Sequence, residues 1–238
     1  MQTSMKADHH ALRVQEVRRQ LARGGPAWTR AFDDDFEYIT LPERDCDLVR
    51  DVLIAEHAET VVEVGLAYGS SALAVGEALV SRYHDTPQHI LIDPYQKEMW
   101  GNVGWDLLCS AGLDQIATLL QDRSSDAFPR LIAEGLNADA AFVDGSHLFH
   151  DVFLDFYYLR QVVKPGGLVI IDDADKPSVR TAAHYFEVNL GWTAQPDLFA
   201  AGTWRVGNDP SGESRPRCQA FRLPDVLPEP RSGDFLPF

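Results

Sequence analysis

Short apolar runs rich in β-branched residues recur along this chain, and between them apolar positions return every three or four residues. The first pattern predicts strands and the second amphipathic helices. From about Asp8 to Arg23, Leu12, Val14, Val17 and Leu21 fall at helical spacing among Arg13, Glu16, Arg18 and Arg19, and Gly24-Gly25-Pro26 ends the helix. An irregular segment follows, with Trp28, Phe32, Phe36 and Tyr38 around the acidic run Asp33-Asp34-Asp35, which reads as a solvated loop. A second helix opens at Pro42 and carries Leu48, Val49, Val52 and Leu53 toward a strand that starts at Thr60.

Further strands are predicted at His89 to Ile92, Ile116 to Leu120, Ala140 to Val143 and Leu168 to Ile171. Helices are predicted after Ser70, from Trp105 to Ala111, from Ala127 to Glu134, from Leu148 to Val163 and near Val179 to Val188, with Lys164-Pro165-Gly166-Gly167 as a helix stop. Strands that alternate with helices imply a parallel sheet with ligands at its carboxyl ends. Two of the pieces around Trp192, Thr203 to Val206 and Cys218 to Leu223 are expected to pair antiparallel at an edge. The expected architecture is therefore α/β, a doubly wound, mostly parallel seven-stranded sheet with an antiparallel edge strand. Residues 1–41 would form an N-terminal helix and capping segment, 42–223 the sheet domain and 224–238 an irregular tail.

The stretch Val61-Val62-Glu63-Val64-Gly65-Leu66-Ala67-Tyr68-Gly69-Ser70-Ser71 reads as strand, tight turn and helix. Glycines there let a ligand approach bare backbone, and the helix N-terminus presents unpaired N–H groups. Glu63 would repel a phosphate, and neither a G-x-G-x-x-G fingerprint nor a Gly-Lys-Ser/Thr ending is present. Taken alone, the motif is equally an ordinary turn with glycines for geometry. Asp93 closes the second strand, roughly twenty residues on, where a βαβ nucleotide site holds ribose hydroxyls; Asp93-Pro94 is also a plain turn pair. Asp144-Gly145-Ser146-His147 closes the fourth strand and Asp172-Asp173 the fifth, so the fold is expected to gather these carboxylates with Glu63 and Asp93 on one rim. Such a cluster suits Mg²⁺, with Asp144, Asp172 and Asp173 as ligands. Each piece has a blander reading, a helix cap for Asp144 and Ser146 and turn residues for Asp172-Asp173.

Composition narrows the partners. The 238 residues, 45% hydrophobic, can bury one sizeable core, and 21 basic against 36 acidic residues leave a net charge of −15. That charge disfavours nucleic acid or an anionic membrane as main partner and leaves a small molecule. Cys46, Cys109 and Cys218 show no metal-ligand spacing and suggest no disulfide framework, and no long apolar run or signal sequence is apparent, so a reduced, cytoplasmic protein is expected. The amphipathic N-terminal helix suggests a homodimer.

The Glu63-x-Gly65 turn with its second glycine at Gly69 resembles motif I of the class I S-adenosylmethionine-dependent methyltransferases, in which this turn wraps the amino-acid end of the cofactor. The resemblance implies cofactor contacts from Glu63, Gly65, Tyr68, Gly69, Ser70, Ser71, Asp93 and Asp144, with Asp122 and Arg123 bordering the adenine. Asp144, the Lys164-Pro165-Gly166-Gly167 stop and Asp172-Asp173 resemble the metal-dependent catechol-type O-methyltransferases. The Asp144-Gly145-Ser146-His147 form, with Asp155 in the next helix, is nearer the macrolide-sugar O-methyltransferases. The likeness runs from about Thr60 to Asp173. Catechol-type enzymes place a lysine base three residues after the strand-four aspartate; here that position holds His147, whose ordinary pKa near about 6.5 suits proton transfer at neutral pH. His150 is its rival. Where the family has an asparagine, this chain has Asp173. The implied reaction is methyl transfer to a hydroxylated small molecule, a biosynthetic tailoring step, with the metal lowering the hydroxyl's pKa and His147 taking its proton. Trp28, Phe32, Trp100, Trp105, Trp192 and Trp204 are available to wall the substrate. An N-methyltransferase, which would carry Pro-Pro-Tyr-like residues after strand four, and a scaffold that has lost turnover are the alternatives; a nicotinamide-dependent dehydrogenase is disfavoured by the glycine spacing.

Overall fold

The structure, a computed structural model, describes residues 2–25, 36–81, 86–206 and 212–238. Trp28, Phe32, the Asp33-Asp34-Asp35 run and His84 lie outside the described residues. By its contacts the chain divides into two compact units, Met1–Arg123 and Ser124–Phe238.

The first unit contains helices α1 (Gln2–Gly24), α2 (Phe36–Ile39), α3 (Glu43–Ala55), α4 (Ser70–Ser81) and α5 (Val103–Ala111), and strands β1 (Thr60–Val64), β2 (Gln88–Ile92) and β3 (Ala117–Leu120). Its strands pair in parallel, β1 with β2 and β2 with β3. Helix α4 is apolar all round, and Ala72, Leu73, Ala74, Val75, Ala78, Leu79 and Val80 are all buried. Such a helix needs cover on its outer side as well as its inner one. Helices α1 and α3 supply it, and α1 also reaches α5. Val14, Val17 and Leu21 of the apolar stripe of α1 pack against the core of this unit, while Leu12 is 64% exposed. Glu77 interrupts the apolar helix and is 4% exposed; Arg18 Nε donates to it at 2.9 Å and Arg50 Nη1 at 3.2 Å, while Arg18 Nη2 also reaches Asp47 at 2.6 Å. One ionic network, buried at Arg18 and Glu77 and open to solvent at Asp47, therefore ties α1 and α3 to α4.

The second unit contains α6 (Ser124–Ala133), β4 (Ala138–Val143), α7 (Phe149–Val162), β5 (Val163–Ile171), α8 (Pro177–Leu190), β6 (Thr193–Ala194), β7 (Trp204–Val206), β8 (Ser214–Pro216) and β9 (Gln219–Arg222). β4 and β5 pair in parallel, β9 runs antiparallel to β5, and β6 pairs with β9 at the edge. β7 and β8 form a separate antiparallel hairpin. Seven strands in all give the mostly parallel, doubly wound sheet that the sequence predicts, with its antiparallel pairing at one edge. Lys164-Pro165-Gly166-Gly167 differs from the expected helix stop: Val163 already pairs with Ala138, and the next partners are Leu168 and Ala140, so the four residues bulge from within β5. Gly167 makes the bulge fit, since a Cβ there would lie 2.8 Å from the carbonyl oxygen of Asp139. The tail after β9 is irregular yet anchored. Asn189 donates to the carbonyl of Leu236 at 3.0 Å and accepts its amide at 2.7 Å, and Arg160 Nη2 donates to Pro228 at 2.6 Å. Among the described residues no helix is long and apolar enough to cross a membrane.

Candidate active site

The turn from β1 to α4 uses three left-handed residues, Gly65 (φ +92°), Ala67 (φ +42°) and Gly69 (φ +82°). Asp93, at the end of β2, fixes it. One carboxylate oxygen accepts the amides of Leu66 (3.0 Å) and Ala67 (2.9 Å), and the other accepts that of Tyr95 (2.8 Å). Gln96, fully buried, donates to the Ala67 carbonyl at 2.9 Å and to Asp93 at 3.2 Å. Gly104 closes the arrangement from α5: a Cβ there would stand 2.4 Å from the Ala67 oxygen, and one on Gly69 would stand 3.2 Å from Gly104. The result is a rigid backbone turn, half-buried at Gly65 and Ala67, in front of the first-turn amides that a helix leaves without intrahelical acceptors. Bare backbone, helix N-terminus and carboxylate suit the charged amino-acid end and ribose of S-adenosylmethionine.

Not every expected cofactor residue faces that turn. Glu63 is completely buried, accepting the Ser71 hydroxyl at 2.6 Å and lying 2.7 Å from His89 Nε2. Glu63, Ser71 and His89 thus brace the strand–helix junction from inside. Tyr68 is buried between Phe36 and Trp100, at ring distances of 5.8 and 5.3 Å. Ser70 accepts the Leu41 amide at 2.9 Å. Asp122 is half-buried and Arg123 exposed just past β3. Gln96 and Gly104 were not legible as site residues: neither belongs to a spacing pattern, and only the fold places them on the turn.

In the second unit, Asp144 follows β4, and Asp172 and Asp173 follow β5. The Asp172 amide donates to Val143 at 2.9 Å, which draws the two strand ends together. His147 Nε2 lies 2.7 Å from an Asp173 oxygen and 3.6 Å from Asp144, while Ser178 at the start of α8 donates to the His147 carbonyl at 2.7 Å. Asp173 has φ +52° and engages both oxygens, one with Arg205 Nη1 at 2.7 Å, the other with Lys176 and His147. Asp172 is gripped by Arg217 through Nε (2.8 and 2.9 Å) and Nη2 (2.7 Å), and Cys218 Sγ donates to it at 3.3 Å. Arg217 is itself 1% exposed. His150 stands apart, 72% exposed and paired with Asp151, so the structure brings His147 and not His150 to the carboxylates. Lys176, Arg205 and Arg217 escaped the sequence because they come from the turn before α8, from β7 and from the link into β9, with no local motif around them.

These contacts set the protonation states. Burial lowers the affinity of His147 for a proton, but Asp144 and Asp173 outweigh it and push its pKa up to about 9. Burial, reinforced by the Asp172 charge, raises Asp144 to about 7. Burial works in the same direction on Asp173, yet His147 and Lys176 hold it well below the usual carboxylate range. His147 is therefore an imidazolium at neutral pH in the resting site, and the neutral base expected from an ordinary histidine requires a higher pH.

Ligand atoms of Asp144, His147 and Asp173 lie within 4.8 Å of one another, a spacing a metal could use. The donor set is nonetheless a poor fit for Mg²⁺, which binds through oxygens and takes carboxylates not already neutralised. Asp172, an expected ligand, is chelated by a buried guanidinium, and both oxygens of Asp173 hold cations.

Residues 62–174 match the model of a family described as a methyltransferase domain. Among solved structures the chain is similar to an O-methyltransferase from Bacillus cereus in complex with SAH, at 14% identity over 88% of this chain and 90% of that one, TM-score 0.60. It is similar to the O-methyltransferase TomG from Streptomyces achromogenes, involved in tomaymycin synthesis and solved with SAM, at 16% identity over 89% of each chain, TM-score 0.63. A third is a putative O-methyltransferase from Klebsiella pneumoniae, at 17% identity over 90% of each chain, TM-score 0.61. At such identities the likeness is one of fold. Among proteins of curated function, none matches significantly. The domain match takes in the Gly65 turn, Asp93, Asp144, His147 and the Asp172-Asp173 pair, and over most of its length the chain has the fold of these O-methyltransferase structures.

Proposed function

We propose that this chain moves the methyl group of S-adenosylmethionine to a hydroxyl of a small molecule, with His147 taking the hydroxyl proton. The observation that carries this reading is His147 held between Asp173 and Asp144 at the strand ends of a methyltransferase domain. The similar protein TomG takes part in tomaymycin synthesis, which supports an acceptor among hydroxylated metabolites.

In the first unit, Gly65, Ala67, Gly69 and the amides opening α4 would hold the cofactor's amino-acid end, Asp93 its ribose, and Asp122 with Arg123 would border the adenine. When bound, S-adenosylmethionine supplies an electrophilic sulfonium methyl. Asp93 has one oxygen carrying only the Tyr95 amide, so it keeps acceptor capacity for a ribose hydroxyl while its other oxygen locks the turn. In the second unit, Asp173 orients the imidazole and stabilises its charged form, and Asp144 adds a second carboxylate. A proton leaving the acceptor hydroxyl goes to the neutral His147 ring, and the resulting imidazolium is the state these carboxylates favour.

Calorimetric titration with S-adenosylhomocysteine tests the first half, with one saturable site expected. Acceptor screening with isotopically labelled S-adenosylmethionine against phenols, enols and sugars tests the second. Label on nitrogen in place of oxygen, or no cofactor binding, would overturn the reading.

A further inference from the structure

The acidic cluster at the ends of β4 and β5 carries its own positive charge. Asp144, Asp172 and Asp173 bring three carboxylates. Arg217 chelates Asp172, and Arg205 and Lys176 share Asp173 with His147. Three permanent cations thus meet three carboxylates before His147 is counted. An acid cluster that recruits a divalent ion has negative charge in excess and oxygens open toward the ion; here the oxygens of Asp172 and Asp173 receive N–H donors of the chain. An ion drawing on Asp172 would have to displace a bidentate guanidinium, 1% exposed, and strand it as a buried charge. An ion drawing on Asp173 would sit against an ammonium and a guanidinium. Asp173, where the resembled family has an asparagine, fits the same account: its two charged oxygens accept from Arg205 and Lys176 and stand against His147.

We propose that this site works without a divalent cation, and that Lys176, Arg205 and Arg217 hold the positive charge a bound ion would supply. The catalytic consequence rests on the methyl-transfer reading above; the absence of metal affinity does not. Arg217 positions Asp172, while Lys176 and Arg205 position Asp173 and, through it, His147.

The test uses the full chain, stripped with chelator and loaded with S-adenosylhomocysteine. Free Mn²⁺ is followed by electron paramagnetic resonance, and Mg²⁺ is titrated calorimetrically. Wild-type protein is expected to show no site tighter than about 1 mM for either ion. The double substitution Lys176→Gln with Arg205→Gln, at side chains 21% and 22% exposed, opens Asp173 and is expected to tighten Mn²⁺ by about tenfold or more. Arg217→Leu, accepted only if circular dichroism shows it folded, is expected to gain Mn²⁺ affinity through Asp172. One Mn²⁺ bound per chain at micromolar concentration by the wild type, and lost in Asp144→Asn, would overturn the proposal. A double variant as blind to metal as the wild type would overturn the assignment of the charge to Lys176 and Arg205. S-adenosylhomocysteine binding, read in the same samples, reports on the functional reading separately.

Discussion

His147 shows how far a side chain's neighbours reset its chemistry. Its ordinary pKa would make it a neutral base at pH 7, but Asp144 and Asp173 push it up to about 9. Since the deprotonated ring accepts the proton, kcat/KM is expected to rise with pH and level off above about 9. Asp173→Asn removes one of the two carboxylates responsible, so the inflection should move to lower pH while turnover falls. His147→Ala should cost about 10²- to 10⁴-fold in kcat with S-adenosylhomocysteine affinity unchanged; a pH profile with the same inflection in Asp173→Asn would show that another group titrates. Asp144, His147, Asp172 and Asp173 were legible because they end strands or follow one at fixed spacing. Their three counter-charges were not, because Lys176 stands in a turn, Arg205 in the short strand β7 and Arg217 in the link between β8 and β9, none with an apolar pattern to announce it.

At the scale of elements, the β1–α4 turn is a joint made by three segments. Asp93 and Gln96 hold its amides and carbonyl, and Gly104 lets α5 come within contact. Gly104→Ala would drive a methyl group into the Ala67 carbonyl, and about 1–3 kcal/mol of stability should go with it, together with most of the S-adenosylhomocysteine affinity; denaturant melts and calorimetry check both. Helix α1 is held to α4 by polar as well as apolar contacts. Arg18→Met leaves Glu77 short of a buried partner and is expected to destabilise by about 3 kcal/mol or more, lowering Tm on the order of 10 °C. Most helices and the five parallel strands could be read from periodicity alone, because each has a clear apolar face or run. Helix α2, with four residues, and the bulge inside β5 could not, since one is too short to show a period and the other is defined by its partner strand.

The molecule as a whole carries buried acid as well as surface acid, and its stability should depend on pH accordingly. Asp155 is 2% exposed, one of its oxygens has no partner among the described residues, and burial raises its pKa to about 7, with the Ser124 hydrogen bond only partly opposing. Asp144 is raised to about 7 as well. A carboxyl whose folded pKa lies above its unfolded one favours folding when protonated, so that contribution is lost as pH climbs from about 4 through 7. The raised His147 contributes below about 6.5, a share that disappears as pH passes about 9. Asp155→Asn should therefore stabilise the protein by about 4 kcal/mol at pH 8 and hardly at all at pH 4, read from denaturant midpoints at the two pH values. The hairpin has a practical corollary of its own. A fragment cut at the end of the domain match, Ala174, would keep every strand-end carboxylate and discard Lys176, Arg205 and Arg217, which act as covalently tethered counter-ions. Such a fragment would also lose β9, the antiparallel partner of β5, and α8, so it would not be a smaller version of the protein.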